Sequence, residues 1–269
     1  MGGFVSGLPD LLAHRNEALA LLGRRPTCVF TDIDGTLSPI VADPAAATVP
    51  DATRSALAAL VERIPVVALT GRSVDDARRV LALDALVYSG NHGAEWWEDG
   101  LLSVEPTAEP YLERVREIAK AVERGITTPG TLLEDKGVSL SVHYRNAAQP
   151  DTARSGILDF LDAHAQGMSI REGKMVVEVR PPVELSKGEA VRSFTRRKGL
   201  ASALVLGDDR TDAEAFAVIR EMRDAGAIRG LCAAVATADA PAELLASADY
   251  TLADTAAVGR FLTWLATEL

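Results

Sequence analysis

The order of elements in this sequence predicts an α/β fold: a doubly wound, Rossmann-like core interrupted by an inserted α+β module. Three observations carry that expectation. Short apolar β-rich runs alternate with Ala/Leu-rich helical stretches near both ends of the chain. Between about residues 105 and 180 the texture changes to helices mixed with hairpin-linked strands. Polar residues able to hold an anion or a cation recur just beyond the apolar runs, where parallel α/β sheets bind their ligands.

Residues 8–22 place Leu and Ala at helical spacing, with Pro9 and Asp10 at the start and Gly23 after the end, and read as a leading helix. Thr27-Cys28-Val29-Phe30-Thr31 is a β-rich run that leads through a Gly-bearing turn to an Ala/Leu helix over 51–63. The unit then repeats: residues 65–69 end in Thr70-Gly71-Arg72, and Ser73 opens a helix with Asp76 three positions on, a variant of the capping box. A third run, 86–88, reaches Ser89-Gly90-Asn91-His92-Gly93, and Asp99-Gly100 turns a hairpin over 95–103 in which Trp96 and Trp97 serve packing.

Inside the insertion, helices are expected over 108–124 and 151–164, and strands over 131–134, 138–144, 168–170 and 175–179. Beyond Pro181-Pro182, Ser186 and Glu189 form a capping box, 203–206 is a strand running into Gly207-Asp208-Asp209, and Thr211 with Glu214 caps the next helix. The division is a core over 1–104, an insertion over 105–182 and a second core segment over 183–269.

At 269 residues the chain exceeds the roughly 150 residues of one ordinary domain, so a core plus an insertion is well accommodated. Lys and Arg number 28 against 38 Asp and Glu, a net charge of −10, which argues against nucleic acid or an anionic membrane as partner. An anionic ligand has to be captured locally, and with only five lysines, Lys120, Lys136, Lys174, Lys187 and Lys198, each is conspicuous. Cys28 and Cys232 lie in apolar runs without metal-ligand spacing and read as buried thiols. No apolar stretch approaches the roughly 18 residues of a membrane span. The opening Met1-Gly2-Gly3-Phe4-Val5-Ser6 meets a loose myristoylation pattern that recurs by chance, and a cytoplasmic, monomeric enzyme is expected.

Asp32, Thr70, His92 and Asp208 each fall at or just after the end of a β-run, so the fold would gather them at one crevice. Asp32-Ile33-Asp34-Gly35-Thr36 sets two carboxylates two residues apart, a repulsive arrangement unless a cation lies between them, and Mg²⁺ suits such oxygen ligands. Thr70 and Gly71 offer a hydroxyl and backbone N–H groups at a helix N-terminus, which favours an anion. His92 either touches substrate or holds its own loop.

These motifs resemble those of the haloacid-dehalogenase-like phosphohydrolases: Asp32-x-Asp34-Gly35-Thr36-Leu37, Thr70-Gly71-Arg72, Lys187, and Gly207-Asp208-Asp209-x-Thr211-Asp212, all in order. The resemblance implies that Asp32 is the nucleophile and Asp34 the general acid and base. It further implies that Thr70, Gly71 and Lys187 hold the phosphoryl group, and that Asp32, the Asp34 carbonyl and Asp208 bind Mg²⁺. Asp209 and Asp212 would support either the metal or the lysine.

The insertion narrows the resemblance. Glu134-x-Lys136-x-x-Ser139, His143-Tyr144-Arg145 and Glu178-Val179-Arg180-Pro181, with Asn91-His92-Gly93-x-Glu95, are similar to the trehalose-6-phosphate phosphatases. That implies a small-molecule sugar phosphate as substrate, with Glu134, Lys136, Arg145, Lys174 and Glu178, and His92 from the core, contacting it. By the period of two, Glu134 shares a strand face with Lys136, and Lys174 with Glu178. Some relatives have Asn where this chain has Val176, so one sugar contact would be missing or replaced. The alternatives are a phosphatase for sucrose-phosphate or mannosyl-phosphoglycerate and, more remotely, an inactive sugar-phosphate sensor or a subunit of a synthase complex.

Overall fold

The computed structural model describes residues 7–41 and 43–269; the myristoylation-like pattern lies outside the described residues. In chain order the elements are α1 (Arg15–Leu22), β1 (Thr27–Thr31), α2 (Asp51–Val61), β2 (Val66–Leu69), α3 (Val74–Leu81), β3 (Val87–Gly90), β4 (Glu95–Glu98) and β5 (Leu101–Val104). They continue with α4 (Leu112–Gly125), β6 (Leu132–Asp135), β7 (Leu140–His143), α5 (Pro150–His164), β8 (Ser169–Gly173) and β9 (Val176–Arg180). The last are α6 (Lys187–Lys198), β10 (Ser202–Gly207), α7 (Arg210–Asp224), β11 (Arg229–Val235), α8 (Ala242–Ser247), β12 (Tyr250–Leu252) and α9 (Thr255–Glu268). Close contacts divide the chain into one unit made of the residues up to Leu102 with Leu185–Leu269, and a second unit, Ser103–Glu184.

The larger sheet has the order β12-β11-β10-β1-β2-β3-β4-β5. Pairing is parallel from β12 through to β3, and β4 returns antiparallel. The chain leaves β1 toward β2 on one side and comes back beside it as β10 on the other, so β1 and β10 flank the point where strand order reverses. Helices cover both faces, which is why β1, β2 and β10 are buried along their whole length. One face packs Val29, Leu57, Leu204, Phe261 and Leu262; the other packs Phe30, Val67, Phe194, Val205 and Phe216.

The second unit has the sheet order β6-β7-β9-β8, all neighbours antiparallel. Leu140, Val142, Val177 and Val179 alternate onto one face and pack against Val115, Ile118 and Val122 of α4 and Ile157 and Leu161 of α5. The intervening positions Glu134, Ser141 and Glu178 stand opposite one another in register and belong to the other face.

Local chemistry accounts for three departures from the sequence expectations. The first helix begins at Arg15, not at residue 8, because the preceding segment pairs with the strand beside it: Leu11 N–H donates to the Thr251 carbonyl and Thr251 N–H to that of Pro9. The helix expected from 108 begins at Leu112, after a 3₁₀ turn over Glu109–Tyr111 that contains Pro110. At α7 the cap is Asp209 with Asp212, each carboxylate accepting from the other's backbone N–H, not Thr211 with Glu214.

Elsewhere local structure follows the sequence. Asp99 and Gly100 take positive φ (53° and 80°) in the β4–β5 turn, Trp96 stacks on Phe194 at 5.9 Å, and Arg78 lies 3.5 Å over Trp97. Cys28 and Cys232 are buried and unpaired. Among the described residues no helix is long and apolar enough to cross a membrane.

Helices α6 and α7 pack side by side through Gly188, where an added Cβ would meet the Glu214 carbonyl oxygen at 2.7 Å. That backbone cannot yield as a side chain would. Gly188→Ala is therefore expected to destabilise the protein by about 1–3 kcal/mol, the usual cost of overpacking. Urea unfolding measures it, and an unchanged midpoint would contradict so close an approach.

Candidate active site

Asp32 follows the last residue of β1 and is 4 % exposed; its N–H donates to the Leu206 carbonyl, which fixes its backbone to the neighbouring strand. Its side chain splits into two environments. Oδ1 accepts from Lys187 Nζ at 2.7 Å, while Oδ2 is buried with no hydrogen-bond partner. A buried carboxylate oxygen left without a partner calls for a cation, a proton or an electrophile.

Lys187 opens α6, directly after Ser186, whose hydroxyl caps the helix by accepting from Glu189 N–H. Only 2 % exposed, its ammonium donates to Asp32 Oδ1 and, at 2.8 Å, to Asp212 Oδ1, with Asp209 Oδ1 at 3.8 Å. Burial alone would push the Lys187 pKa down, but Asp212, Asp32 and Asp209 outweigh it and hold the amine well above its ordinary value. The ammonium therefore stays charged, and two of its three hydrogens have acceptors.

Asp212 is fully buried and fully used. Oδ1 receives Lys187, and Oδ2 accepts from the backbone N–H groups of Asp208 (2.9 Å) and Asp209 (3.1 Å). Such a carboxylate orients Lys187 and the loop after β10. Gly207 makes room for it, since a Cβ there would lie 2.3 Å from Asp212 Cβ. Asp209 spends Oδ1 on the Asp212 N–H and the Thr211 hydroxyl; despite burial, Lys187 and these donors pull its pKa down to about 2.

Asp208 closes the cluster. Carboxylate oxygens of Asp32, Asp208 and Asp212 lie within 4.8 Å of one another. Burial, joined by Asp212 and Asp209, pushes the Asp208 carboxyl up, and burial opposed by Lys187 pushes Asp32 up. Gly35, at φ 94°, makes the chain turn tightly against this group: a Cβ there would stand 2.0 Å from Asp208 Oδ2. Four carboxylates thus face one ammonium, and the orphaned Asp32 oxygen beside the raised Asp208 fits a hard divalent cation.

Asp34 lies outside that cluster. Its carboxylate is held by Arg72, with Nε to Oδ2 and Nη2 to Oδ1 both at 2.6 Å. Thr70 is buried at the end of β2, its N–H donating to the Ser89 carbonyl and its hydroxyl oxygen accepting from Arg72 N–H at 3.1 Å. Asn91, His92 and Gly93 take three successive positive φ angles (49°, 55° and 100°). The corner they form is pinned to the Thr70-Gly71-Arg72 turn: His92 N–H donates to the Thr70 carbonyl and Asn91 N–H to that of Arg72. The His92 ring then lies over Gly71, where a Cβ would stand 2.6 Å from Nε2. Glu95, buried, locks the same corner by accepting from Val74 N–H at the start of α3 and from the Asn91 amide.

In the second unit, Lys136 Nζ lies 3.7 Å from Glu134 Oε2 and 3.9 Å from Glu178 Oε1, so three of the expected sugar contacts form one group. His143 joins it through Nε2, 2.8 Å from Glu134 Oε2, and Arg180 pairs with Glu178. Arg145 and Lys174 do not belong to that group. Both are exposed beside the β8–β9 turn, where Arg145 donates to the Lys174 carbonyl at 3.5 Å. The face-sharing expected of Lys174 and Glu178 fails because Lys174 sits on the turn and not on a strand.

Sequence reasoning passed over three residues that the structure brings into these groups: Arg72, His143 and Arg180. Each lay within a motif already noted, and the available signal was an unassigned polar residue beside assigned ones.

Over 226 residues the chain is 34% identical to an uncharacterized glycosyl hydrolase of Mycobacterium tuberculosis; the match takes in 80% of this chain and 17% of that protein, so the chain spans about a sixth of its length. It is 31% identical over 281 residues to probable trehalose-phosphate phosphatase 3 of Oryza sativa subsp. japonica, covering 94% of this chain and 73% of the relative. The C-terminal domain of the C. albicans trehalose-6-phosphate phosphatase superimposes with a TM-score of 0.73 at 25% identity, covering 97% of this chain and 98% of that one. Residues 30–254 match the family model of the trehalose-phosphatases, and the chain belongs to that family.

Proposed function

We propose that this protein hydrolyses trehalose 6-phosphate to trehalose and phosphate, with Mg²⁺, through an aspartyl-phosphate on Asp32. The observation that carries the reading is Lys187 bonded at once to Asp32 and Asp212, beside an Asp32 oxygen that is buried and unpartnered. Family membership supplies the substrate class.

Asp32 attacks phosphorus, forming the acyl phosphate as the bond to the sugar oxygen breaks; Asp34 gives that oxygen its proton. Asp34 then takes a proton from water, which attacks the phosphorus and releases phosphate, restoring Asp32. Lys187, the Thr70 hydroxyl and the Gly71 N–H hold the phosphoryl oxygens through both steps. Lys187 has its third hydrogen for this role, because Asp32 and Asp212 take the other two. Asp32, the Asp34 carbonyl and Asp208 would hold Mg²⁺, which neutralises charge on the carboxylates and the transferring group. Asp212 and Asp209 act on Lys187 and the loop, in keeping with their occupied oxygens.

Glu134, Lys136 and Glu178 are proposed to bind sugar hydroxyls, the carboxylates accepting and the ammonium donating. Arg145 and Lys174 would contact a different part of the sugar, and His92 shields the phosphate turn through its position over Gly71. Two buried thiols without a disulfide fit a reducing compartment, and with it a cytoplasmic location.

Three outcomes test this reading. Asp34→Asn should cut turnover of trehalose 6-phosphate by roughly 10²–10⁴-fold, yet slow an aryl phosphate, whose leaving group needs little protonation, far less; equal losses remove Asp34 from the acid role. Glu178→Gln should raise KM for trehalose 6-phosphate while leaving aryl-phosphate hydrolysis near its original rate, and in a panel of sugar phosphates another preferred substrate would overturn the assignment.

The third outcome concerns pH. Burial, opposed by Lys187 at Asp32 and joined by Asp212 and Asp209 at Asp208, pushes both carboxyls above their unfolded values, so without a cation their contribution to stability is full at acid pH and is lost as pH rises through the raised values. A bound cation reverses that, and the rise in Tm on adding Mg²⁺ should be larger at pH 8 than at pH 6, where protons compete. Equal shifts would count against both carboxylates as its ligands.

A further inference from the structure

Asp34 sits on the turn after β1 with its side chain 37 % exposed, and Arg72 holds its carboxylate. Arg72 presents Nε and Nη2 as a fork to the two carboxylate oxygens, both at 2.6 Å. A bidentate pair of this kind constrains orientation as well as distance.

Arg72 is itself fixed in advance. Its side chain is 9 % exposed, and its remaining Nη1 donates to Asp76 in the first turn of α3. Its backbone N–H is taken by the Thr70 hydroxyl and its carbonyl by Asn91 N–H. Asp76 is held in turn by the Ser73 cap, which accepts from its N–H, and by Arg79. The guanidinium therefore belongs to the frame that also positions the Thr70-Gly71 turn, and Asp34 is tied to that frame through two hydrogen bonds.

We propose that Arg72 is a positioning residue for the reaction, setting the rotamer from which the Asp34 carboxyl exchanges its proton with the leaving oxygen and with water. The proposal rests on the reading of Asp34 as general acid and base. A lysine cannot substitute fully, because a single ammonium cannot form the fork. Proton transfer requires heavy atoms within roughly 2.6–3.2 Å, so a carboxylate free to rotate would seldom be in place.

The test is a double-mutant cycle on Arg72 and Asp34, assayed with trehalose 6-phosphate and an aryl phosphate in the presence of Mg²⁺. Arg72→Ala is expected to lower kcat on the sugar phosphate by about 10²-fold, the scale of a misplaced catalytic group, with KM changed less than about threefold and a much smaller loss on the aryl phosphate. Arg72→Lys should fall between wild type and Arg72→Ala, and guanidinium ion should restore part of the Arg72→Ala rate. In the Asp34→Asn background, Arg72→Ala should cost little more, because the group it positions is gone.

Additive losses, or equal losses on both substrates from Arg72→Ala, would overturn the proposal, since they mark a general defect of the turn. Should Arg72→Ala fold poorly, Arg72→Lys carries the same cycle. Failure of the underlying reading looks different: Asp34→Asn would then slow both substrates alike with Arg72 intact.

Discussion

The buried ion group around Lys187 is the constraint on which the first unit depends. Its ammonium is 2 % exposed, and it joins the end of β1, the start of α6 and the first turn of α7 through Asp32, its own backbone and Asp212. Removing one partner from such a group leaves an uncompensated charge and typically costs about 3–5 kcal/mol. The glycines nearby follow from it. Gly35 and Gly207 sit where a Cβ would strike Asp208 and Asp212, and Gly188 lets α6 approach α7. The backbone is shaped to bring carboxylates together, and the lysine makes that arrangement compatible with burial.

A second frame runs through the Thr70-Gly71-Arg72 turn. Here the neutralising group is a guanidinium, and the neighbouring Asn91-His92-Gly93 corner is held against it by two main-chain hydrogen bonds and by Glu95. The two frames differ in kind. Lys187 is a point charge that gathers acceptors around one nitrogen, whereas Arg72 holds the Asp34 carboxylate through a planar fork and uses Nη1 on Asp76.

Much of this was legible in the sequence because parallel α/β sheets place strand ends together. Asp32, Thr70, His92 and Asp208 could be assigned to one end of one sheet from their positions after apolar runs alone. Part of the interior of the second unit was legible too, since Leu140 and Val142 alternate with polar residues along β7. What could not be read was which polar groups pair. Asp209 and Asp212 share a motif and cap the same helix reciprocally, yet Lys187 Nζ lies 2.8 Å from Asp212 and 3.8 Å from Asp209. Arg145 and Lys174 have the residue types of sugar ligands, but the β8–β9 turn places them apart from Glu178. The start of α1 was misplaced because main-chain pairing with Thr251, distant in the chain, leaves no local trace.

The sheet of the second unit keeps its two faces chemically separate, Val142, Val177 and Val179 on one and Glu134, Ser141 and Glu178 on the other. For descent with modification this has a consequence. Substitutions at Glu134 and Glu178 change what the strands present on that face without touching the residues that hold α4 and α5 in place. Change at these positions therefore carries little epistasis against folding. The ion group around Lys187 has no such latitude, because there the same buried side chains support the backbone and neutralise one another.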